Sequence, residues 1–127
     1  MIDVSFIVLT YNEEIHLERC LRSIRGVSDQ VFLVDSHSTD QTCEIARSME
    51  AQVFKNPWPG KHSEQFNWAL DKLPIQTKWV FKLDADEYLT DELRQELTAR
   101  VSGLPEDCTG IVFPLRRVFM GRHIQRG

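Results

Sequence analysis

The stretch Lys78-Trp79-Val80-Phe81-Lys82-Leu83-Asp84-Ala85-Asp86-Glu87 decides how this chain is organised. Its first part is apolar and aromatic, which predicts a buried strand, and acidic residues follow at once. Because residues two apart in an extended chain point to the same side, we expect Asp84 and Asp86 to project together from the strand's carboxyl end. Two convergent carboxylates suit a hard divalent cation, Mg²⁺ or Mn²⁺, that holds a diphosphate. The alternative is a pair of solvated turn residues before the next helix.

Length and composition describe one ordinary globular domain. The 127 residues suffice for a single core and are too few for two domains, and 42% of them are hydrophobic and 27% charged. The net charge of −4 gives no reason to expect nucleic acid as a partner. No apolar run reaches the length of a membrane span, and the N-terminus lacks the basic start and apolar core of a signal peptide.

The three cysteines indicate a reduced, cytoplasmic protein. Cys20, Cys43 and Cys108 lie far apart and form no Cys-x-x-Cys pair, which is typical of small core residues and argues against a structural zinc site.

Strands and helices alternate along the chain. Apolar runs predict strands at residues 4–9, 31–34, 51–55, 78–83 and 110–113. Helical spacing and capping residues predict helices that begin near Asn12, Ser38, Ser63 and Thr90. Four such alternations predict an α/β fold, with a mostly parallel sheet, helices on both faces and right-handed crossovers.

Polar clusters follow three of the predicted strands. They are Thr10-Tyr11-Asn12, Asp35-Ser36 and Asp84-Ala85-Asp86. Ligands of parallel α/β sheets bind beyond the carboxyl ends of the strands, at the point where the strand order reverses. The sequence therefore predicts a binding site at this edge of the sheet.

Four segments, in order and spacing, resemble the inverting glycosyltransferases of family 2, which have the GT-A fold. The segments are VLTYNEE at 8–14, VDSHSTDQT at 34–42, NWAL at 67–70 and LDADE at 83–87. The resemblance covers nearly the whole chain and implies a Rossmann-like, nucleotide-sugar-binding half with strand order 3-2-1-4 plus an edge strand. Residues 119–127 are similar to the branch that adds sugars to lipopolysaccharide cores and related bacterial surface glycans.

The resemblance implies a hexosyltransferase-type enzyme with a nucleotide-sugar donor, most often a UDP-sugar, and a glycan or lipid-linked acceptor. It assigns the base and ribose to Thr10, Tyr11, Asn12 and Glu13, and the base edge to Asp35. The alternatives are a partly buried loop aromatic for Tyr11 and a helix-start cap for Asp35.

On the acidic side, the resemblance places Asp84 near the ribose and the metal and makes Asp86 a ligand of Mg²⁺ or Mn²⁺. The cation would neutralise the leaving diphosphate.

Two positions depart from the family pattern. His37 stands where many members have glycine, and histidine adopts a positive φ more readily than most other residues. Phe66 stands where a basic residue is usual, and Lys61, His62 or Gln65 are candidates for the missing contact.

The chain is shorter than the family's catalytic domains. We expect residues 1–127 to be one domain truncated at its carboxyl end, with the acceptor half and its catalytic base beyond Gly127. Glu87 is a poor substitute for that base because it lies on the sugar-donor side. An exposed apolar edge around residues 111–113 would favour homo-oligomers.

Several alternatives stay open. The arginines of the tail fit a phosphorylated acceptor, a diphosphate, peripheral contact with the inner membrane face, or simple solvation. These arginines are Arg116, Arg117, Arg122 and Arg126. A non-catalytic nucleotide-sugar-binding module also fits the short chain. A nucleotidyltransferase fits less well, because Tyr11-Asn12-Glu13-Glu14 is acidic where such an enzyme needs a basic, glycine-rich loop.

Overall fold

The structure, a computed structural model, describes residues 2–101, 103, 110–113 and 118–122, the last two stretches by their backbone. Strands and helices alternate through most of the chain, which confirms the predicted α/β class. The elements are β1 (Val4–Thr10), α1 (Leu17–Ile24), β2 (Val31–Asp35), α2 (Thr42–Ser48), β3 (Gln52–Lys55), α3 (His62–Lys72), β4 (Trp79–Asp84), α4 (Asp91–Val101), β5 (Gly110–Phe113) and β6 (Val118–Arg122).

The strands form a single sheet in the order β3-β2-β1-β4-β6-β5. The first four are parallel to one another, which confirms the predicted order 3-2-1-4. β6 pairs antiparallel with both β4 and β5, so the predicted edge strand β5 does lie at the edge but is separated from β4. β6 was not predicted, because its short apolar run lies among arginines and resembles a solvated tail.

The core has two parts, one on each face of the sheet. Successive residues of β1 point to opposite faces, so Phe6 packs on one side and Ile7 on the other. The first part is covered by α1, α2 and α4, and the second by α3, which confirms helices on both faces. Representative core residues are Leu21, Ala46 and Leu97 in the first part, and Phe32, Ala69 and Leu73 in the second.

Two predicted helix starts, near Asn12 and Ser38, are wrong. α3 begins at His62, next to the predicted Ser63, and Thr90 caps α4, its Oγ1 accepting the Leu93 N–H at 3.1 Å. The predicted start at Asn12 fails because α1 begins at Leu17 and Asn12 has a φ of 51°. α2 begins at Thr42 rather than at Ser38, and α3 has no side-chain cap. Asn12 and Ser38 use their side chains to join two loops instead.

Some predictions lie outside what the structure describes. Cys108, Arg116, Arg117 and Arg126 are not among the described residues, and Arg122 and residues 111–113 are described by backbone alone. Association through β5 therefore stays a prediction. Among the helices of the described residues, none is long and apolar enough to cross a lipid bilayer.

Candidate functional site

A cleft of about 650 Å³ lies where β1, β2 and β4 end. The strand registers place Thr10 beside Asp35 and Leu9 beside Asp84, so the three carboxyl ends are level. This is the switch point at which ligands of parallel sheets bind, and the volume is typical of a small-molecule site. The lining residues are Leu9, Thr10, Tyr11, Glu13, Ser36, Trp58, His62, Asp84, Ala85 and Asp86.

The acidic side of the cleft differs in one respect from the prediction. β4 ends at Asp84, and Ala85 and Asp86 form a turn, so the extended geometry assumed for the pair does not continue to Asp86. Both carboxylates nevertheless line the cleft. The side chain of Asp84 is half-buried, and its Oδ1 is buried without a hydrogen-bond partner among the described residues, whereas Asp86 is exposed.

Two glutamates crowd this side further. The Asp84 N–H donates to Glu87 Oε1 at 2.9 Å, and the Glu87 N–H donates to the Asp84 carbonyl oxygen at 2.9 Å, which closes the turn. Burial raises the pKa of the Glu87 carboxyl, and the charges of Asp84 and Asp86 raise it further. Burial also raises the pKa of Glu13, and Asp86 is the next cause. Negative charge is therefore concentrated around Asp84 and Asp86, and its burial and mutual repulsion lower the stability of the folded state.

The residues present fit a hard divalent cation. A buried carboxylate oxygen without a partner is costly, and a bound cation would satisfy it. No group of three or more His, Cys, Asp or Glu side chains gathers around a metal position in the described ranges. Asp84 and Asp86 would therefore supply only part of the coordination, which suits Mg²⁺ or Mn²⁺, since such ions take one or two carboxylates plus water and substrate phosphate.

Helix α1 holds the backbone of the acidic turn, a role that the sequence analysis missed. The Arg19 guanidinium stacks on Tyr88, 4.6 Å from the centroid of its ring. Burial, together with the nearby acidic side chains, raises the pKa of the Cys20 thiol to about 12, so this thiol stays protonated. The turn is thus tied to a rigid element. Its three contacts are Arg19 Nη2 to the Asp86 carbonyl oxygen (3.3 Å), the Cys20 thiol to the Asp84 carbonyl oxygen (3.8 Å) and the Leu89 N–H to Ser23 Oγ (3.0 Å).

Asp35 does not line the cleft. Its side chain is 0% exposed, and its Oδ1 accepts hydrogen bonds from Thr10 Oγ1 (2.8 Å) and Ser38 Oγ (2.5 Å). Its Oδ2 accepts the Ser38 N–H at 2.7 Å. The contact of Asp35 with a base edge stays a prediction, and in this structure the carboxylate is buried and bonded to Thr10 and Ser38. The residue after it, Ser36, faces the cleft instead.

The loop after β1 is fastened to the loop after β2. Asn12 Oδ1 accepts the Thr39 N–H at 2.8 Å, and the Asn12 N–H donates to Ser38 Oγ at 2.8 Å. Asn12 therefore supports the cleft without lining it, whereas Thr10, Tyr11 and Glu13 do line it. Tyr11 is 57% exposed, so more than half of its surface is accessible to a ligand.

His37 has a φ of 60°. This positive φ is readily adopted by glycine, which many family members carry at this position, and histidine tolerates it better than most other residues do.

No site residue was predicted within residues 56–60, the segment that follows β3. In the structure, Trp58 and His62 both line the cleft. Of the three residues offered as a replacement for the missing basic contact, His62 reaches the cleft, whereas Gln65 is fully buried and hydrogen-bonded within the protein. An aromatic residue between two prolines, three positions after a strand, was the signal that could have identified this side of the cleft.

Comparisons with known proteins agree with this geometry. An uncharacterised glycosyltransferase of Rickettsia bellii is 35% identical over 94 residues, which cover 74% of this chain and 31% of the relative. The lipopolysaccharide core biosynthesis glycosyltransferase LpsC of Rhizobium meliloti is 31% identical over 99 residues, covering 74% and 35%. The chain thus spans about a third of the length of these relatives.

Solved structures share the fold. Glucosyl-3-phosphoglycerate synthase from Mycobacterium tuberculosis, in complex with UDP, superposes with a TM-score of 0.73 at 19% identity, over 94% of this chain and 56% of that one. This likeness shows the GT-A fold. The profile of the family described as "Glycosyl transferase family 2" matches residues 5–122. With the strand order, the level strand ends and the sequence relatives, this match shows that the chain belongs to glycosyl transferase family 2.

Proposed function

We propose that this chain binds the nucleotide-sugar donor of an inverting, metal-assisted glycosyltransferase of the hexosyltransferase type, with a UDP-sugar as donor. The observation that carries the proposal is Asp84 Oδ1, which is buried at the switch point and has no partner among the described residues. Structural neighbours support this assignment, since one was solved with UDP and a mannosyltransferase from Pyrobaculum calidifontis was solved with GDP-mannose and Mn²⁺.

The cleft divides into two ends in this proposal. Thr10, Tyr11, Glu13 and Ser36 surround the nucleoside, because they lie where β1 and β2 end. The exposed ring of Tyr11 covers a planar base, and Glu13 accepts a hydrogen bond from a ribose hydroxyl. Asp35 acts indirectly, since its bonds to Thr10 and Ser38 fix the chain on either side of Ser36.

The diphosphate occupies the other end. Asp84 and Asp86 would hold Mg²⁺ or Mn²⁺ there, and the turn that carries them is fixed by α1 before any ligand arrives. When bound, the cation supplies charge neutralisation for the leaving diphosphate. Preorganisation of the turn means that little ordering accompanies binding.

Transfer to an acceptor needs a base beside the acceptor hydroxyl. Glu87 uses Oε1 to accept the Asp84 N–H, so it supports the sugar-donor end of the cleft. We therefore restrict the proposal for these residues to donor binding, with a non-catalytic binding module as the second candidate. The acceptor we propose for the whole enzyme is a glycan or lipid-linked molecule, in line with the name of the Rhizobium meliloti relative. Turnover with a sugar donor and a glycolipid extract separates the two candidates, and loss of turnover in Glu87→Gln would make Glu87 the base.

Calorimetric titration with UDP tests donor binding directly. We expect UDP to bind more tightly in Mn²⁺ than in EDTA, and more tightly than GDP. Asp86→Ala should remove most of the Mn²⁺-dependent gain, roughly 2 kcal/mol or about 30-fold, because one of two carboxylate ligands is lost. Asp71→Ala, an exposed aspartate on α3, is the matched control and should bind like the parent chain. Equal UDP affinity in Mn²⁺ and EDTA would contradict the metal role.

A further inference from the structure

We propose that Trp58 forms a second wall for the nucleobase, and that buried Gln65 is the positioning residue that fixes this wall. The inference rests on the proposed donor binding and adds a base-binding aromatic residue that lies outside the strand-end motifs. Its starting point is that two exposed aromatic residues, Tyr11 and Trp58, line one cleft. Large aromatic surface left open inside a cleft indicates a flat apolar partner.

The position of Trp58 along the sheet decides which part of the ligand it meets. Trp58 follows β3, and the acidic turn follows β4, at the opposite side of the parallel strands β3-β2-β1-β4. Three strand spacings separate these ends by roughly 14 Å. With a diphosphate held at Asp84, a nucleoside reaching over β1 and β2 brings its base towards Trp58. The transferred sugar is attached to the far side of the diphosphate and does not reach this wall.

Trp58 is exposed but rigidly presented. It is 46% exposed, whereas the core residue Trp79 is 2% exposed. Pro57 and Pro59 flank it, which restricts the backbone on both sides. His62 packs against the indole in a T-shaped arrangement, with ring centroids 4.9 Å apart. A preordered aromatic face loses little conformational entropy when a base stacks on it.

The Gln65 side chain ties this loop to the end of β2. Its Nε2 donates to Ser36 Oγ at 3.1 Å and to the Asn56 carbonyl oxygen at 3.2 Å, and its Oε1 accepts from Asn56 Nδ2 at 2.7 Å. The Asn56 N–H in turn donates to the Asp35 carbonyl oxygen at 2.9 Å. Because both ends of the amide are used, Gln65 sets the distance between Ser36, which faces the cleft, and the loop that carries Trp58.

Two probes separate the wall from the rest of the site. UDP contains the base, and pyrophosphate does not, and both are titrated in the presence of Mn²⁺. Trp58→Ala should weaken UDP binding about tenfold, the loss of one base stack, and leave pyrophosphate affinity unchanged. Trp58→Phe should recover most of the UDP affinity, because a smaller aromatic face remains. Gln65→Ala should also lower the ratio of UDP to pyrophosphate affinity, a readout that general destabilisation does not move.

Each outcome has a definite meaning. A parent chain that binds pyrophosphate and UDP equally, or binds neither, overturns the donor-binding proposal and the wall with it. A parent chain that prefers UDP, with Trp58→Ala retaining the full preference, overturns the wall alone. Equal losses of UDP and pyrophosphate in Trp58→Ala also overturn it, since the residue would then shape the whole cleft. Quenching of tryptophan fluorescence by UDP in the parent chain, absent in Trp58→Phe, supports stacking on this indole.

Discussion

Asp35 and Asp84 occupy equivalent places in the fold and have opposite environments. Each is the last residue of a strand that pairs parallel with β1, one on either side of it. The Asp35 carboxylate accepts hydrogen bonds from Thr10 and from both the N–H and the hydroxyl of Ser38. Asp84 Oδ1 is buried and accepts none from the described residues.

The difference separates Asp35, whose carboxylate stabilises the structure of the site, from Asp84, whose carboxylate is available to bind a ligand. Buried polar groups in proteins are almost always hydrogen-bonded, so a satisfied carboxylate needs no further partner and an unsatisfied one calls for an explanation. A strand-end aspartate is therefore not a ligand contact by position alone. The predictions below test whether Asp35 contributes to stability and Asp84 to binding.

The largest expected effect is on stability at Asp35. Asp35→Ala should lower the free energy of unfolding by roughly 3 kcal/mol or more, because the buried Thr10 hydroxyl and the half-buried N–H and hydroxyl of Ser38 lose their acceptor. Urea denaturation followed by circular dichroism measures the change. Asp29→Ala, an exposed aspartate before β2, is the control and should stay within about 0.5 kcal/mol of the parent. A loss below 1 kcal/mol at Asp35 would remove the contrast.

The second effect is on binding at Asp84. Asp84→Asn should leave the free energy of unfolding unchanged or slightly higher, because it removes a charge from a crowded acidic group and breaks no side-chain hydrogen bond involving Oδ1. The same change should abolish the Mn²⁺-dependent gain in UDP affinity, roughly 2 kcal/mol. Denaturation in EDTA and calorimetry in Mn²⁺ measure the two quantities on one variant. A clearly destabilised variant that still binds UDP in a Mn²⁺-dependent manner would assign Asp84 to the structure instead.

The contrast also shows how far the sequence could lead. Apolar runs ending in acids are local signals, and they were enough to predict four parallel strands and the edge of the sheet that carries the candidate site. The strand order was implied by the family resemblance instead. They could not distinguish Asp35 from Asp84, because the partners that satisfy Asp35 come from the end of β1 and from a loop. Whether a carboxylate is satisfied is a tertiary property.

The errors have the same origin. Asn12 and Ser38 have good capping side chains, but the Thr39 N–H donates to Asn12 Oδ1 across 27 residues, and Ser38 bonds to Asp35 and to Asn12. Competing long-range partners thus overrode local capping propensity. β6 gave a weak local signal because its place depends on pairing with β4. The Gln65 contacts with Ser36 and Asn56 carry no sequence pattern at all.

A smaller effect is expected at Arg19, which supports the backbone on the Asp84 side. Arg19→Ala removes the hydrogen bond to the Asp86 carbonyl oxygen and the stack on Tyr88, both at the surface. We expect a loss of less than about 1 kcal/mol in unfolding free energy and a few-fold weaker UDP binding in Mn²⁺. Arg22→Ala on the same helix removes an exposed ion pair with Glu18 and should leave UDP affinity unchanged. Equal effects of the two variants on binding would rule out the support role.

The smallest effect is a pH dependence of stability that arises from the acidic residues around Asp84. Burial and then the charge of Asp86 raise the pKa of Glu13 above its ordinary value of 4.5, so the folded state holds this proton more tightly than the unfolded state. The unfolding free energy in EDTA should therefore gain a contribution as pH falls from 7 through the raised pKa towards 4.5.

Glu13→Gln should remove part of that gain, and urea denaturation at pH 7 and pH 5 measures it. Glu87 also has a raised pKa and contributes with the same sign, so some of the slope should remain in this variant. Asp86→Asn is the matched test of the cause, because it removes the neighbouring charge and leaves the Glu13 carboxyl in place. It should flatten the slope less than Glu13→Gln does, since burial is the larger cause. If the pH dependence of the unfolding free energy is unchanged in Glu13→Gln, the charges around Asp84 do not affect Glu13. The acidic end of the cleft would then consist of β4 and the turn that follows it.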